Sequence, residues 1–128
     1  MADAEAGATF EAGRFDADGL LGGACATCDR RHFPQAAWCP WCGAPDTTPV
    51  RLSTDGTLWA WTAVTAPPAG YEGEVPYGFG VVELPADGLR VVTRLTVADP
   101  AALSLGQPMA FTVETVTDGV ETWAFGPA

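Results

Sequence analysis

Two short motifs, CATC at residues 25–28 and CPWC at residues 39–42, decide the fold of the N-terminal part of this chain. Each motif can turn two thiolates toward one point, and together they contain all 4 cysteines of the sequence. Four converging thiolates are the donor set that tetrahedral zinc prefers. The spacing therefore predicts one metal site, and its ligands are Cys25, Cys28, Cys39 and Cys42.

Disulfides and redox chemistry are the alternative uses of such a pattern. Two cysteines separated by only two residues bridge each other awkwardly outside a redox active site, and a redox-active pair normally lies at a strand-to-helix junction. The residues around the motifs favour tight turns instead, and they include Pro34, Pro40, Gly43 and Pro45. We therefore expect zinc, with iron as the second metal that four thiolates hold.

The predicted metal is structural. Four protein ligands close the coordination sphere and leave no position for an activated water. Residues 20–49 contain few aliphatic side chains, so we expect metal binding to supply most of the folding free energy of this segment. The segment also carries Phe33, Trp38 and Trp41, which either pack over the ribbon or form an exposed apolar surface.

Composition and charge argue against several classes of protein. The chain has 128 residues, of which 48% are hydrophobic, and this suffices for a modest core. No apolar run approaches about 18 residues and no secretory signal is present, so no membrane span is expected and the metal-spaced thiols favour the cytoplasm. Six basic residues against 16 acidic ones give a net charge of −10, which argues against a nucleic-acid partner.

The chain divides into three predicted segments. Residues 1–19 are rich in alanine and acidic residues, which predicts a disordered lead or a weak helix near residues 4–15. Residues 20–49 form the expected metal ribbon. Residues 50–128 consist of short apolar runs separated by turn residues, and this texture predicts β-structure.

The C-terminal segment is expected to form a small barrel. Its predicted strands lie at residues 57–65, 79–84, 89–97, 109–116 and 120–125. Asp-Gly pairs at residues 87–88 and 118–119 predict hairpin turns. Asp99 followed by Pro100 predicts the start of one or two helical turns between the third and fourth strands. Three strands, a short helix and two strands is the order of a five-stranded OB-fold barrel, and the pattern alone leaves other small barrels open.

An independent active site is not expected. The single histidine, His32, lies between the metal ligands and is expected to be a surface or packing residue, so no free catalytic triad is available. The sequence contains no lysine, no Gly-rich phosphate loop and no HExxH motif. Glu83, the one carboxylate among apolar neighbours, is expected on the outer face of its strand with Phe79 and Val81. We therefore predict no catalytic residue.

Several further motifs, taken in order, resemble one known family. They are LLG at 20–22, HFP at 32–34, CPWCG at 39–43, DGTLW at 55–59, PYG at 76–78 and GQPM at 106–109. From about residue 10 to residue 127 the chain resembles the rubredoxin-like zinc ribbon plus OB-fold family of acyl-CoA-associated proteins, formerly a domain of unknown function. The resemblance implies a mainly β protein, in which a rubredoxin-like zinc ribbon precedes a five-stranded OB-fold barrel with a short helical insert.

The resemblance also implies a function. Members of this family are usually encoded with, or fused to, thiolase-like enzymes or hotdog-fold hydratases, which implies a non-catalytic accessory subunit in a hetero-oligomer. Such a subunit completes a thiolase-fold enzyme and shares a coenzyme A thioester with it. The enzyme is either a thiolase or an aldolase acting on an acyl-CoA side chain such as that of a steroid, and the nucleophile or base comes from the partner. One residue departs from the family pattern, since Asp29 follows the second ribbon cysteine where glycine is common.

Two groups of residues are candidates for contacts with the partner or the thioester. The long connection between the first two predicted strands contains Tyr71, Pro76 and Tyr77, which are expected to meet the partner or the pantetheine arm; simple ordering of the loop is the alternative. Arg30 and Arg31 form the only adjacent basic pair. They are expected either to meet the 3′-phosphate of coenzyme A as charge-assisted donors or to be solvated turn residues.

Two other functions remain open. The first is a nucleic-acid-binding zinc-ribbon OB module, which needs basic residues and exposed aromatic side chains on strands two and three. The predicted second strand, residues 79–84, contains no positive charge, which argues against it. The second is a freestanding acyl-CoA-binding protein, which tight binding of coenzyme A thioesters by the purified chain alone would favour.

Overall fold

A computed structural model gives the fold, and it describes residues 13–128. The described residues form nine strands and one 3₁₀ helix, Pro100–Ala102. The strands are β1 (Phe15–Asp16), β2 (Gly19–Cys25), β3 (Arg31–His32), β4 (Thr47–Arg51), β5 (Asp55–Val64), β6 (Tyr77–Leu84), β7 (Leu89–Leu95), β8 (Pro108–Thr117) and β9 (Val120–Pro127). The helix expected near residues 4–15 lies outside the described residues except at its end, where the chain is extended in β1.

The N-terminal sheet is built around β2, which pairs antiparallel with β1, β3 and β4. Two glycines allow β3 to approach closely. A Cβ atom on Gly22 would lie 2.5 Å from the carbonyl oxygen of His32, and one on Gly23 would lie 2.2 Å from its Nε2 atom. The imidazole therefore occupies the space that a side chain at Gly23 would need. The sequence left open whether His32 is a surface residue or a packing residue. His32 is 2% exposed, so it is a packing residue.

The remaining strands close a barrel in the order β5-β6-β7-β9-β8, and β5 pairs with β8 to complete the circle. All neighbours are antiparallel except β7 and β9, which are parallel. This connectivity is the predicted OB-fold barrel, and the five predicted strands are confirmed with ends shifted by a few residues. Both predicted Asp-Gly turns are present, with Gly88 and Gly119 in the left-handed region at φ values of 67° and 75°.

The short helix lies between β7 and β8, as the sequence predicts. Asp99 caps it, because its Oδ1 atom accepts a hydrogen bond of 3.0 Å from the amide of Ala101, and Pro100 occupies the first position. The helix is a single 3₁₀ turn. Its carbonyl at Pro100 accepts a hydrogen bond of 3.0 Å from Nε1 of Trp61 on β5, which ties the insert to the barrel wall.

The ribbon and the barrel share one hydrophobic core. Leu20 of β2 and Leu52 of the connecting segment belong to the same buried cluster as the barrel residues. An aromatic group joins the two parts at Trp123 of β9, whose ring centroid lies 5.9 Å from that of Phe15 and 5.5 Å from that of Phe33. Phe33 therefore packs between ribbon and barrel, as one of the two sequence alternatives proposed.

The other two ribbon aromatics behave differently. Trp38 and Trp41 are both more than half exposed, as the other alternative expected. No helix in residues 13–128 is long and apolar enough to cross a membrane.

Candidate metal centre and adjacent surfaces

The two CxxC motifs fold into similar turns. In the first, the amide of Asp29 donates to the carbonyl of Cys25 at 2.9 Å; in the second, the amide of Gly43 donates to the carbonyl of Cys39 at 2.8 Å. Asp29 and Gly43 both have positive φ angles, 65° and 82°. Asp29, which departs from the family pattern, therefore adopts the left-handed conformation that glycine usually provides at the end of such a turn.

The turns bring the four predicted ligands together. All four Sγ atoms lie within 4.8 Å of one another. The Sγ atoms of Cys25 and Cys42 are 3.7 Å apart, and those of Cys28 and Cys39 are 3.6 Å apart. Zinc bound tetrahedrally at about 2.3 Å from each sulfur requires sulfur atoms about 3.8 Å apart. The cluster therefore fits a structural zinc ion, with every coordination position taken by the protein.

The thiols of this cluster differ in acidity. Burial raises the pKa of Cys39, but the backbone amides of Cys42 and Trp41 together with the thiols of Cys28 and Cys25 more than offset this and lower it to about 7. The pKa of Cys42 moves the other way: the amide of Ala44 lowers it, but desolvation and the three neighbouring thiols outweigh this and raise it to about 12. Four thiolates so close together repel one another, so a divalent cation is what allows all four to ionise near neutral pH.

The two adjacent arginines have different roles. The guanidinium of Arg30 is exposed and lies 4.6 Å from the ring centroid of Trp41. Arg31 reaches the barrel instead, because its Nη1 atom donates at 2.7 Å to Oδ1 of Asp87 in the turn between β6 and β7. The other carboxylate oxygen of Asp87 accepts from the amide of Ser53 at 2.7 Å. Arg31 therefore helps to hold ribbon and barrel together.

Two adjoining cavities lie between the ribbon and the β6–β7 hairpin, and Trp41 lines both of them; we call them together the groove. One side of the groove is an open cavity of about 630 Å³, and Leu89 and Arg90 of β7 help to line it. The other side encloses about 490 Å³ and contains Arg30 and Arg31. The structure thus places the predicted arginine pair on the wall of a cleft large enough for part of a ligand.

The loop between β5 and β6 is packed against the barrel. The rings of Tyr71 and Tyr77 lie 4.9 Å apart, and the hydroxyl of Tyr71 donates to the carbonyl of Glu74 at 2.8 Å. Arg94 of β7 donates to the Tyr71 hydroxyl at 3.3 Å and to Glu114 of β8 at 2.9 Å. The two predicted tyrosines are thus brought together and half-buried, whereas their predicted companion, residue 76, is exposed.

The loop and the ribbon arginines remain separate features. In the described part of the chain, no hydrogen bond or ring contact joins the Tyr71–Tyr77 pair to Arg30 or Arg31. Sequence reasoning also missed Asp87, which was expected only as a turn residue. Its Asp-Gly context predicts a hairpin, and nothing local signals that its carboxylate accepts a hydrogen bond from a residue 56 positions away.

Comparisons with known proteins agree with this architecture. The rubredoxin-like zinc ribbon domain of ChsH2 matches residues 17–48, and the C-terminal OB-fold domain of ChsH2 matches residues 49–114. A DUF35 domain-containing scaffold protein from Pyrococcus furiosus is 34% identical over 100 residues, which cover 77% of this chain and 68% of that protein.

Two further similar proteins are parts of enzymes by name. The benzoylsuccinyl-CoA thiolase subunit BbsA of Thauera aromatica is 33% identical over 99 residues, which cover 77% of this chain and 66% of BbsA. A solved structure of the Ltp2-ChsH2(DUF35) aldolase contains a chain that is 28% identical, with a TM-score of 0.68 and 84% of both chains covered. The family matches, the identities and the shared fold together show that this chain belongs to the ChsH2 family of proteins with a rubredoxin-like zinc ribbon and an OB-fold domain.

Proposed function

We propose that this chain is a non-catalytic accessory subunit of a thiolase-fold acyl-CoA enzyme. The observation that carries the proposal is its similarity to a thiolase subunit, to a scaffold protein and to a chain of an aldolase complex. In this proposal residues 20–49 are the zinc ribbon and residues 50–128 are the barrel. The proposed compartment is the cytoplasm, where thiolates stay reduced.

The geometry supports a scaffolding role. The only histidine is buried, and neither ring nitrogen has a hydrogen-bond partner in the described residues, whereas a general base must reach its substrate. The four cysteines form one cluster whose coordination zinc would complete. We therefore propose that the nucleophile or base comes from the partner, which is a thiolase or an aldolase acting on an acyl-CoA side chain such as that of a steroid.

We further propose that the two chains share the coenzyme A thioester. The exposed guanidinium of Arg30, beside Trp41 and the groove, is positioned to donate to a phosphate, whereas Arg31 is held by Asp87. Tyr71, Pro76 and Tyr77 are the proposed contacts to the partner or to the pantetheine arm. Their support is the packed and preorganised loop, because a preformed surface loses less conformational entropy on binding.

The test is coexpression with thiolase-like or hydratase-like polypeptides, followed by size exclusion and an assay of thioester turnover. Coelution and turnover that needs both chains support the proposal. Turnover by this chain alone would contradict the non-catalytic role, and failure to coelute under every condition would remove the accessory role.

The proposed contact residues need a separate measurement. Replacing Tyr71 and Tyr77 together by alanine should weaken copurification or raise the KM for the thioester. Arg30→Ala should raise the KM for the thioester but not for its pantetheine fragment, which lacks the 3′-phosphate. Unchanged values would remove these residues from the proposed site while leaving the subunit assignment in place.

Nucleic-acid binding is a weaker proposal for this barrel. Each arginine of β7 is paired with a carboxylate, Arg90 with Glu83 at 3.2 Å and Arg94 with Glu114 at 2.9 Å. A phosphate backbone binds to a surplus of positive charge, and these ion pairs leave none on that strand. The remaining alternative is a freestanding acyl-CoA-binding protein. Isothermal titration of the purified chain with coenzyme A thioesters tests it, and tight binding by the chain alone would favour it.

A further inference from the structure

The outer surface of β5, β6 and β7 carries large apolar side chains that the core does not use. Trp59 of β5 is 45% exposed, Phe79 of β6 is 39% exposed and Val92 of β7 is 57% exposed. Cross-strand pairing places Phe79 and Val92 on one surface, because Val81 lies opposite Val92 and Phe79 lies opposite Arg94. Three large apolar side chains grouped on one sheet face are unusual for a small protein without a partner.

The backbone itself turns Trp59 outward. The register between β5 and β6 shifts between Leu58 and Ala60, so Trp59 is an extra residue in the ladder. Leu58 points into the core opposite Val82, and the next paired residue, Ala60, lies opposite Val81. Such bulges re-aim side chains and are over-represented beside functional sites.

Arg90 connects this surface to the ribbon groove. Its guanidinium lies 4.1 Å from the ring centroid of Trp59 and donates to Glu83 at 3.2 Å. Arg90 and Trp41 also line the same side of the groove. We call the combined surface the tryptophan face, and it consists of Trp41, Trp59, Phe79, Arg90, Val92 and Arg94. Stacking with the arginine holds the exposed Trp59 ring in place before any partner arrives.

The charge of this face differs from that of the whole chain. Four of the six arginines, Arg30, Arg31, Arg90 and Arg94, lie on it or beside it, although the net charge of the chain is −10. Three of them are paired with carboxylates. The tryptophan face is therefore nearly neutral. It does not repel a protein surface that bears carboxylates, and it lacks the surplus of positive charge that binding to nucleic acid requires.

We propose that the tryptophan face is the docking surface for the thiolase-fold subunit, an inference that rests on the proposed function. The complementary surface has an apolar hollow for Trp59 and Val92, and it needs no surplus of charge opposite Arg90 and Arg94, because Glu83 and Glu114 already neutralise them. Tryptophan and arginine are the residue types that dominate the energy of protein interfaces. A second copy of this chain fits less well, because two chains of net charge −10 repel each other.

The experiment compares Val92→Glu with Thr112→Glu, both measured for binding to the coexpressed thiolase-like subunit by biolayer interferometry. Thr112 is similar in size, is exposed, and lies on β8, which contributes no side chain to the tryptophan face. Val92→Glu should raise the Kd at least about 100-fold, because it buries an unpaired carboxylate in the interface. Thr112→Glu should leave the Kd within about threefold, as expected for a charge outside the contact. Circular dichroism and zinc content confirm that both variants fold.

Each contrary result has a distinct meaning. If the wild-type chain binds the subunit and Val92→Glu binds equally well, the docking surface is wrong and the proposed function stands. If Thr112→Glu weakens binding as much as Val92→Glu, the effect is one of charge and the surface is again wrong. If sedimentation shows that this chain forms a dimer and that Val92→Glu dissociates it, the tryptophan face binds a second copy of the chain instead of the thiolase-fold subunit. A wild-type chain that binds no thiolase-like subunit removes both proposals.

Discussion

The carboxylate of Asp87 joins the zinc ribbon to the barrel, and its removal should destabilise the whole chain. Its side chain is 2% exposed and accepts two hydrogen bonds of 2.7 Å, one from Arg31 of β3 and one from the amide of Ser53 before β5. Asp87→Ala leaves both donors without this acceptor. The prediction concerns the free energy of unfolding of the zinc-loaded protein.

The magnitude follows from the exposure of each donor. A hydrogen bond to a charged group contributes about 1.5–3 kcal/mol, and a buried amide left without an acceptor costs about 1–3 kcal/mol. The side chain of Arg31 is 41% exposed, so water replaces much of its lost interaction. We therefore expect a net loss of about 2–4 kcal/mol, or roughly 10 °C in Tm for a chain of this size.

Thermal and urea unfolding of zinc-loaded protein measure this loss, and the chain offers a matched control. Asp118→Ala alters the other Asp-Gly hairpin turn at an exposed position, and it should change stability by no more than about 0.5 kcal/mol. Asp87→Asn keeps a side-chain oxygen for Ser53 but loses the charge, so its loss should be intermediate. Equal Tm values for Asp87→Ala and Asp118→Ala would refute the reasoning, because Asp87 would then be only a turn residue.

Three further predictions concern the ribbon. Cys28→Ser should abolish stoichiometric zinc in elemental analysis and lose binding to the partner subunit with it; loss of metal with assembly intact would show that the zinc site is dispensable for docking. Gly43→Ala should lower stability by about 1 kcal/mol in urea titrations, because its positive φ is unfavourable for alanine, whereas Asp29→Gly at the matching position should be neutral or stabilising. The opposite order would contradict the assigned backbone conformations. Gly23→Ala should lower Tm by more than Gly43→Ala does, because its Cβ would lie 2.2 Å from the His32 ring. An unchanged Tm would show that the imidazole moves aside at no cost.

Local sequence determined those features that depend on neighbours in the chain. The CxxC spacing was enough to predict one four-cysteine cluster, because each motif places two sulfur atoms on one turn. The expected outer face of β6, with Phe79, Val81 and Glu83 on one side, is present because successive side chains point to opposite sides of a strand. The Asp-Gly turns and the Asp99 cap were predictable for the same reason, because their hydrogen bonds join residues close in sequence.

Tertiary structure decided which side chains meet across the molecule. Arg30 and Arg31 are indistinguishable in the sequence. They differ in the structure because the β6–β7 turn packs against β3 and places Asp87 within hydrogen-bond distance of Arg31. The outward position of Trp59 depends on a register shift between two strands, which no pattern within β5 reveals. The sequence by itself therefore determined the metal cluster, the strands and their faces. Only the folded chain shows the contact of Arg31 with Asp87 between ribbon and barrel, and the composition of the tryptophan face. Contacts between distant segments depend on how whole elements pack.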